Sequence, residues 1–121
     1  DHVRRQIRLV TDLVHVSGGI IKVILENAYL TDEQKIVACK ICADEGVDFV
    51  KTSTGFAPSG ATIQDVKLMR SVLPPSVGVK AAGGIRSLEF FLDVIAAGAS
   101  RVGATQTVAI LEALMTGSVA G

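Results

Sequence analysis

The sequence has little cysteine, no excess charge of either sign and no long apolar run. Two cysteines cannot build a disulfide framework, and their scarcity points to a reducing, cytoplasmic compartment. Twelve lysines and arginines balance twelve aspartates and glutamates, so no charge field invites nucleic acid or an anionic membrane. No apolar stretch is long enough to span a bilayer. No basic segment followed by an apolar one opens the chain, so secretion is not indicated. His2 and His15 stand without a cluster of cysteine or carboxylate around them, and neither a metal nor any other cofactor is expected.

What is present is apolar and regular. Hydrophobic residues make up 49% of 121 residues, enough for one domain, residues 1–121, with a sizeable core. The chain opens on Asp1-His2 rather than on methionine, so we expect it to be processed or to be a piece of a longer protein. Val3, Ile7, Val10 and Val14 recur at helical spacing over residues 3–16, and Ser17-Gly18-Gly19 ends that helix. Residues 20–25 are β-branched and apolar, as in a strand buried on both faces. Thr31 and Gln34 form a capping box for a helix running to Glu45, which Gly46 follows. Further strands are expected at 47–51, 77–80 and 100–103. The helices that follow them are capped near Thr62 and at Ser87, and a last helix closes the chain.

Regular strand–helix alternation implies right-handed crossovers and a parallel sheet. Four such units suit half of a TIM (β/α)₈ barrel or a small, flavodoxin-like open sheet. Half a barrel would leave unpaired strand edges and an exposed apolar inner face.

In parallel α/β folds reactive groups gather at the carboxyl ends of the strands. Lys51 and Lys80 close two consecutive strands, and period-2 alternation points both inward, alongside Phe49 and Gly78. Two amines several Å apart at buried strand ends repel, and burial adds to the repulsion, so the pKa of one should fall. The alternative is that each lysine simply extends from its strand end into solvent. Gly83-Gly84 precedes the helix capped by Ser87, and Gly103-Ala104-Thr105 precedes the last helix. Backbone amides at adjacent helix N-termini suit a phosphate, although glycines also serve tight turns, and Arg86 stands at the rim. Two other patterns fail as sites. Gly55 to Gly60 has the glycine spacing of a Walker loop, but Ala61 stands where its lysine should be. Cys39-Lys40-Ile41-Cys42 falls in mid-helix on an apolar face, which suits packing rather than redox chemistry.

The motifs Lys22-Val23-Ile24-Leu25-Glu26, Asp48 to Phe56, Gly60-Ala61-Thr62 and Val77 to Arg86 resemble those of the deoxyribose-phosphate aldolase family, class I aldolases with a TIM-barrel fold. The resemblance covers nearly the whole chain, as a fourth helix followed by βα units five to eight. It implies Schiff-base retro-aldol cleavage of 2-deoxyribose 5-phosphate to acetaldehyde and glyceraldehyde 3-phosphate, in deoxyribonucleotide catabolism. Lys51 would be the Schiff-base lysine and Lys80 the neighbour that lowers its pKa. Gly55, Gly83, Gly84, Ile85, Arg86, Gly103, Ala104 and Thr105 would hold the phosphate. The partners implied are a phosphorylated sugar or aldehyde, and either a second copy of the chain or a separate N-terminal half. The family's proton-relaying aspartate lies on strands with no counterpart here. Asp48 should face away from Lys51, and Glu26 is the nearest candidate for an inward carboxylate. Gln106 departs from the usual hydroxyl residue. The chain has a single tyrosine, Tyr29, where some members end in one. The expectation is therefore of weak or no activity in this chain by itself.

Overall fold

The computed structural model describes residues 2–53, 60–103 and 115. In chain order they form helix α1 (His2–Val16), strand β1 (Lys22–Ile24), a short 3₁₀ turn (Asn27–Tyr29) and helix α2 (Asp32–Asp44). Strand β2 (Phe49–Lys51), helix α3 (Ile63–Val72), strand β3 (Gly78–Ala82), helix α4 (Leu88–Ala96) and strand β4 (Arg101–Gly103) follow. The four strands form one parallel sheet in the order β1-β2-β3-β4. The expected α/β alternation is therefore present, and the final helix lies outside the described residues.

Local chemistry sets the helix starts. Thr31 accepts from the Gln34 amide at 3.2 Å, and the Gln34 side chain accepts from the Thr31 amide at 2.9 Å, a complete capping box. Thr62 caps α3 through the Asp65 amide, and Ser87 caps α4 through the Phe90 amide. Gly18 and Gly46, at φ +79° and +78°, turn the chain after α1 and α2. Arg70 closes α3 by donating to the carbonyls of Leu73, Pro74 and Val77.

The core lies between the sheet and its helices. Val50, Val79 and Ala81 project from the sheet onto Val66 and Met69 of α3 and Val94 of α4, all of them buried. Full burial of a valine or methionine side chain contributes ~1.5–3 kcal/mol. Cys39 and Cys42 belong to this layer as free thiols. Burial pushes their pKa values up, to about 12 and about 11, with Cys42 adding to the rise at Cys39. Such thiols are inert, in keeping with packing rather than redox chemistry. Between α2 and α3, Lys35 meets Asp65 at 2.7 Å, both nearly buried. Burial works against the charge on Lys35, but the contacts with Asp65 and Asp32 together outweigh it and raise the pKa.

Three expectations need correction. The buried side of α1 is Ile7, Thr11 and Val14, not the stripe that includes Val3 and Val10, which are about half exposed. Arg4 and Arg8 pair with Glu45, and Arg4 also with Asp44, which fixes the rotation of the helix and leaves Leu13 and Val16 72% and 89% exposed. Strand β1 is not buried on both faces: it is an edge strand among the described residues, and Lys22 and Ile24 are exposed. Nor is the inner face of the sheet simply apolar, because strand alternation places Lys22, Lys51, Lys80 and Arg101 on it. A groove of about 490 Å³ lies beside β1, lined by Val3, Ile7, Val23, Leu25, Val37 and Ile41 among others.

Candidate active site

The parallel register aligns the two lysines. Phe49 pairs with Gly78 and Lys51 with Lys80 across β2 and β3, as period-2 alternation predicts. The same register continues outward, pairing Ile24 with Lys51 on one side and Lys80 with Arg101 on the other. Lys51, Lys80 and Arg101 therefore form a row across three strands. Lys51 ends β2, Lys80 lies midway along β3, which runs on to Ala82 rather than closing at the lysine, and Arg101 opens β4. Lys22 lies on the same face, one inward-facing position earlier, opposite Phe49. Burial, then Lys22, Lys51 and Arg101, hold the Lys80 ammonium below the ordinary lysine range.

Hydroxyls fasten the strand ends around this row. The Thr52 amide donates to the Lys80 carbonyl at 3.0 Å, but the Thr52 carbonyl is taken by the Asn27 amide on the β1 side. The next amide of β3, Ala82, therefore lacks a main-chain acceptor on β2. The Thr52 hydroxyl supplies one at 3.0 Å and donates to the Ala82 carbonyl at 3.1 Å. Ser53 also donates to that carbonyl, and both side chains are fully buried. These hydroxyls extend the β2–β3 ladder by a rung just past the lysines, a role that reading the sequence missed. The signal was a Thr-Ser pair directly after a strand-ending lysine.

The candidate phosphate loop follows β3. Gly83 and Gly84 both take positive φ, 90° and 73°, a conformation glycine adopts without strain. Gly60 presses against Gly83 so closely that a side chain at 60 would collide with its carbonyl, and the Ala61 amide donates to that carbonyl at 3.0 Å. Ile85 is buried and anchors the turn, while Arg86 is exposed. Ser87 already takes the Phe90 amide, so the start of α4 offers fewer bare amides than its glycines suggest. Gly103 ends β4 with the Lys80 Cε 3.5 Å from where its Cβ would be. Gly55, Ala104 and Thr105 lie outside the described residues.

The two acids singled out in the sequence behave differently. Asp48 turns from the lysines to the other end of the sheet, where it accepts from the Ile21 amide at 2.9 Å and meets His15 at 2.7 Å. These contacts, the amide first, lower its pKa. Glu26 lies two residues past β1, at the start of the 3₁₀ turn, half-buried in a left-handed conformation at φ 56°. Among the described residues no group of three or more potential metal ligands occurs, and no helix is long and apolar enough to cross a membrane.

Comparison with known proteins gives this arrangement a family. Residues 9–121 match the family described as DeoC/LacD family aldolase. The chain belongs to the DeoC/LacD family of aldolases. It is 53% identical over 112 residues to the deoxyribose-phosphate aldolase of Thermococcus gammatolerans, covering 93% of this chain and 50% of that protein. Among solved structures it is similar to QR15, an aldolase, with a TM-score of 0.86 and 39% identity over 96% of this chain and 52% of that one. It is also similar to the tetrameric deoxyribose phosphate aldolase of Aeropyrum pernix, with a TM-score of 0.85 and 33% identity over 94% of this chain and 49% of that one. The chain thus spans about half the length of the curated relatives it matches. Its described part is a run of four parallel strands with α2, α3 and α4 between them and α1 before them, as in half of a TIM-barrel aldolase.

Proposed function

We propose that the chain is the lysine-bearing half of a deoxyribose-phosphate aldolase, a partial barrel domain over residues 1–121 working in the cytoplasm. Its substrate is 2-deoxyribose 5-phosphate and its reaction a Schiff-base retro-aldol cleavage. The observation that carries this reading is the register that sets Lys51 directly beside Lys80 on the inner face, with the charge on Lys80 disfavoured. Like charges side by side disfavour full protonation of the pair, and only an unprotonated amine is a nucleophile.

The Lys51 amine adds to the carbonyl carbon of the open-chain sugar, and the carbonyl electrons move to oxygen, which takes a proton. Loss of water from this carbinolamine gives an iminium. The C–C bond then breaks, its electron pair passes into the iminium to form an enamine, and the departing hydroxyl loses its proton as glyceraldehyde 3-phosphate leaves. Protonation of the enamine carbon and hydrolysis release acetaldehyde and return Lys51. Lys80 tunes the nucleophile. Gly83, Gly84, Ile85 and Arg86, together with Gly55, Gly103, Ala104 and Thr105, hold the phosphate. The lysine itself supplies the electron sink, so the scheme calls on no cofactor.

Positioned acid–base help is worth about 10²–10⁴-fold, and the resemblance puts the relaying aspartate on strands without counterpart here. The chain alone is therefore weakly active or inactive but competent to form the Schiff base. Borohydride reduction in the presence of acetaldehyde tests this: the parent chain gains a stable adduct and Lys51→Ala does not. Labelling of Lys51→Ala to the parent level would sink the assignment.

A second reading, assembly with a second copy or with a separate N-terminal half, rests on the apolar groove beside β1 and on exposed Leu13, Val16 and Ile24. Closure by a second copy would bring two sets of inner-face cations into one barrel, which favours a complementary half. Sedimentation of a stable, soluble monomer that gains no activity from such a half would count against it.

A further inference from the structure

Lys80 is flanked by charge from every strand of the sheet. Among the described residues, Lys51 on β2 and Arg101 on β4 lie in register with it, and Lys22 on β1 adds its charge from further along the face. The helices pack behind the opposite face. Arg101 differs from the three lysines in two respects. Its guanidinium keeps its proton throughout the range in which an amine titrates, and it is anchored. Its Cζ lies 4.3 Å from the centroid of the Phe49 ring, within cation–π range.

The anchor depends on an absence. Phe49 stands opposite Gly78, and a Cβ at 78 would collide with the Phe49 ring. The ring crosses β3 because residue 78 has no side chain, and it reaches the residue that follows the lysines in the row. Phe49, Gly78 and Arg101 thus form one device spanning three strands.

We propose that Arg101, held over Phe49 by the gap at Gly78, is a positioning residue of the lysine pair: a permanent cation kept in register with Lys80. The proposal rests on the reading of Lys51 as nucleophile and Lys80 as its neighbour. A row of like charges relaxes by losing a proton. Arg101 cannot lose its own, so the proton leaves a lysine and the pair acquires a neutral amine at lower pH. Gly78 and Phe49 therefore matter to the chemistry although neither carries a reactive group.

The test follows the Lys80 ¹³Cε resonance of ¹³C-lysine-labelled chain through a pH titration. Arg101→Met raises the Lys80 midpoint by about half a unit or more, while Arg101→Lys, whose ammonium can itself titrate, and Phe49→Leu give smaller rises. An unchanged midpoint in Arg101→Met overturns the proposal. Equal shifts in Arg101→Lys and Arg101→Met also overturn it, because packing rather than charge would then be the cause. Should Arg101→Met fail to fold by circular dichroism, Arg101→Gln carries the same two outcomes. Borohydride trapping of the parent chain separates the two readings. An untrapped Lys51 with a charge-dependent Lys80 midpoint removes the Schiff-base assignment and leaves the charge row standing.

Discussion

One side of the four-stranded sheet is apolar and closed and the other open and cationic, yet the two are a single residue apart. Val50 and Val79 face the helices and are fully buried; their neighbours Lys51 and Lys80 face the open side and are only partly covered. The outer face is apolar and closed by α3 and α4. The inner face carries Lys22, Lys51, Lys80 and Arg101, a concentration of like charge that works against folding. A site that must perturb an amine takes stability from the protein, and here the outer face supplies it. The pH dependence shows the cost. Because the folded-state pKa of Lys80 is lowered from 10.5, the unfolded chain binds more protons between the two values. Stability through Lys80 therefore rises with pH across that window.

Substitutions that cross from one face to the other test the division. The largest effect is expected from Val50→Asp, which buries an unpaired charge in the helix-packed layer and costs roughly 3–5 kcal/mol. Lys51→Ala, one residue on, should leave the free energy of urea unfolding within about 0.5 kcal/mol of the parent while abolishing adduct formation. Matching losses of stability in the two variants would erase the distinction.

Thr52→Val sits on the boundary between the faces. It removes the hydroxyl that accepts from the Ala82 amide, with a cost of about 1–3 kcal/mol in urea unfolding. Thr52→Ser keeps the hydroxyl and should recover most of that loss together with the adduct-forming rate. Equal behaviour of the two variants would show that the hydroxyl does not hold the lysine-bearing strand ends together.

The smallest effect lies at the far end of the sheet. Asp48→Asn weakens the tie to the Ile21 amide and His15, for a loss of about 1 kcal/mol at neutral pH. The sign with pH is fixed by the lowered pKa of Asp48. Its contribution is full above the ordinary value of 3.8 and fades as pH falls below that toward the folded value. Parent and variant should therefore converge in acid, and a gap that widened there would contradict the assignment. Adduct formation should be unaffected in Asp48→Asn.

Much of this was legible in the chain. Caps at Thr31, Thr62 and Ser87 are short-range and encoded in three or four residues, so all three appear where the sequence puts them. Alternation alone put Lys51 and Lys80 on one face, and the register then pairs them. Longer-range effects were not legible. The face that α1 buries is decided by pairing of Arg4 and Arg8 with Glu45, some forty residues away in sequence, which overrides its apolar spacing and buries Thr11. Arg101 and Lys22 looked like ordinary strand residues until the register set them on the lysine face. The Thr52 side chain became a ladder rung only because Asn27 claims its carbonyl, a competition that no single-strand pattern contains.

The central claim is that the flanked lysine pair, and Lys51 within it, is the reactive amine among several on one open face. Peptide mapping after acetaldehyde and limiting borohydride near neutral pH tests it directly. The account predicts the reduced adduct predominantly on Lys51, with Lys22, Lys40 and Lys67 labelled no faster than a free lysine. Equal labelling of Lys51 and exposed Lys67, on the far side of the sheet, would contradict it.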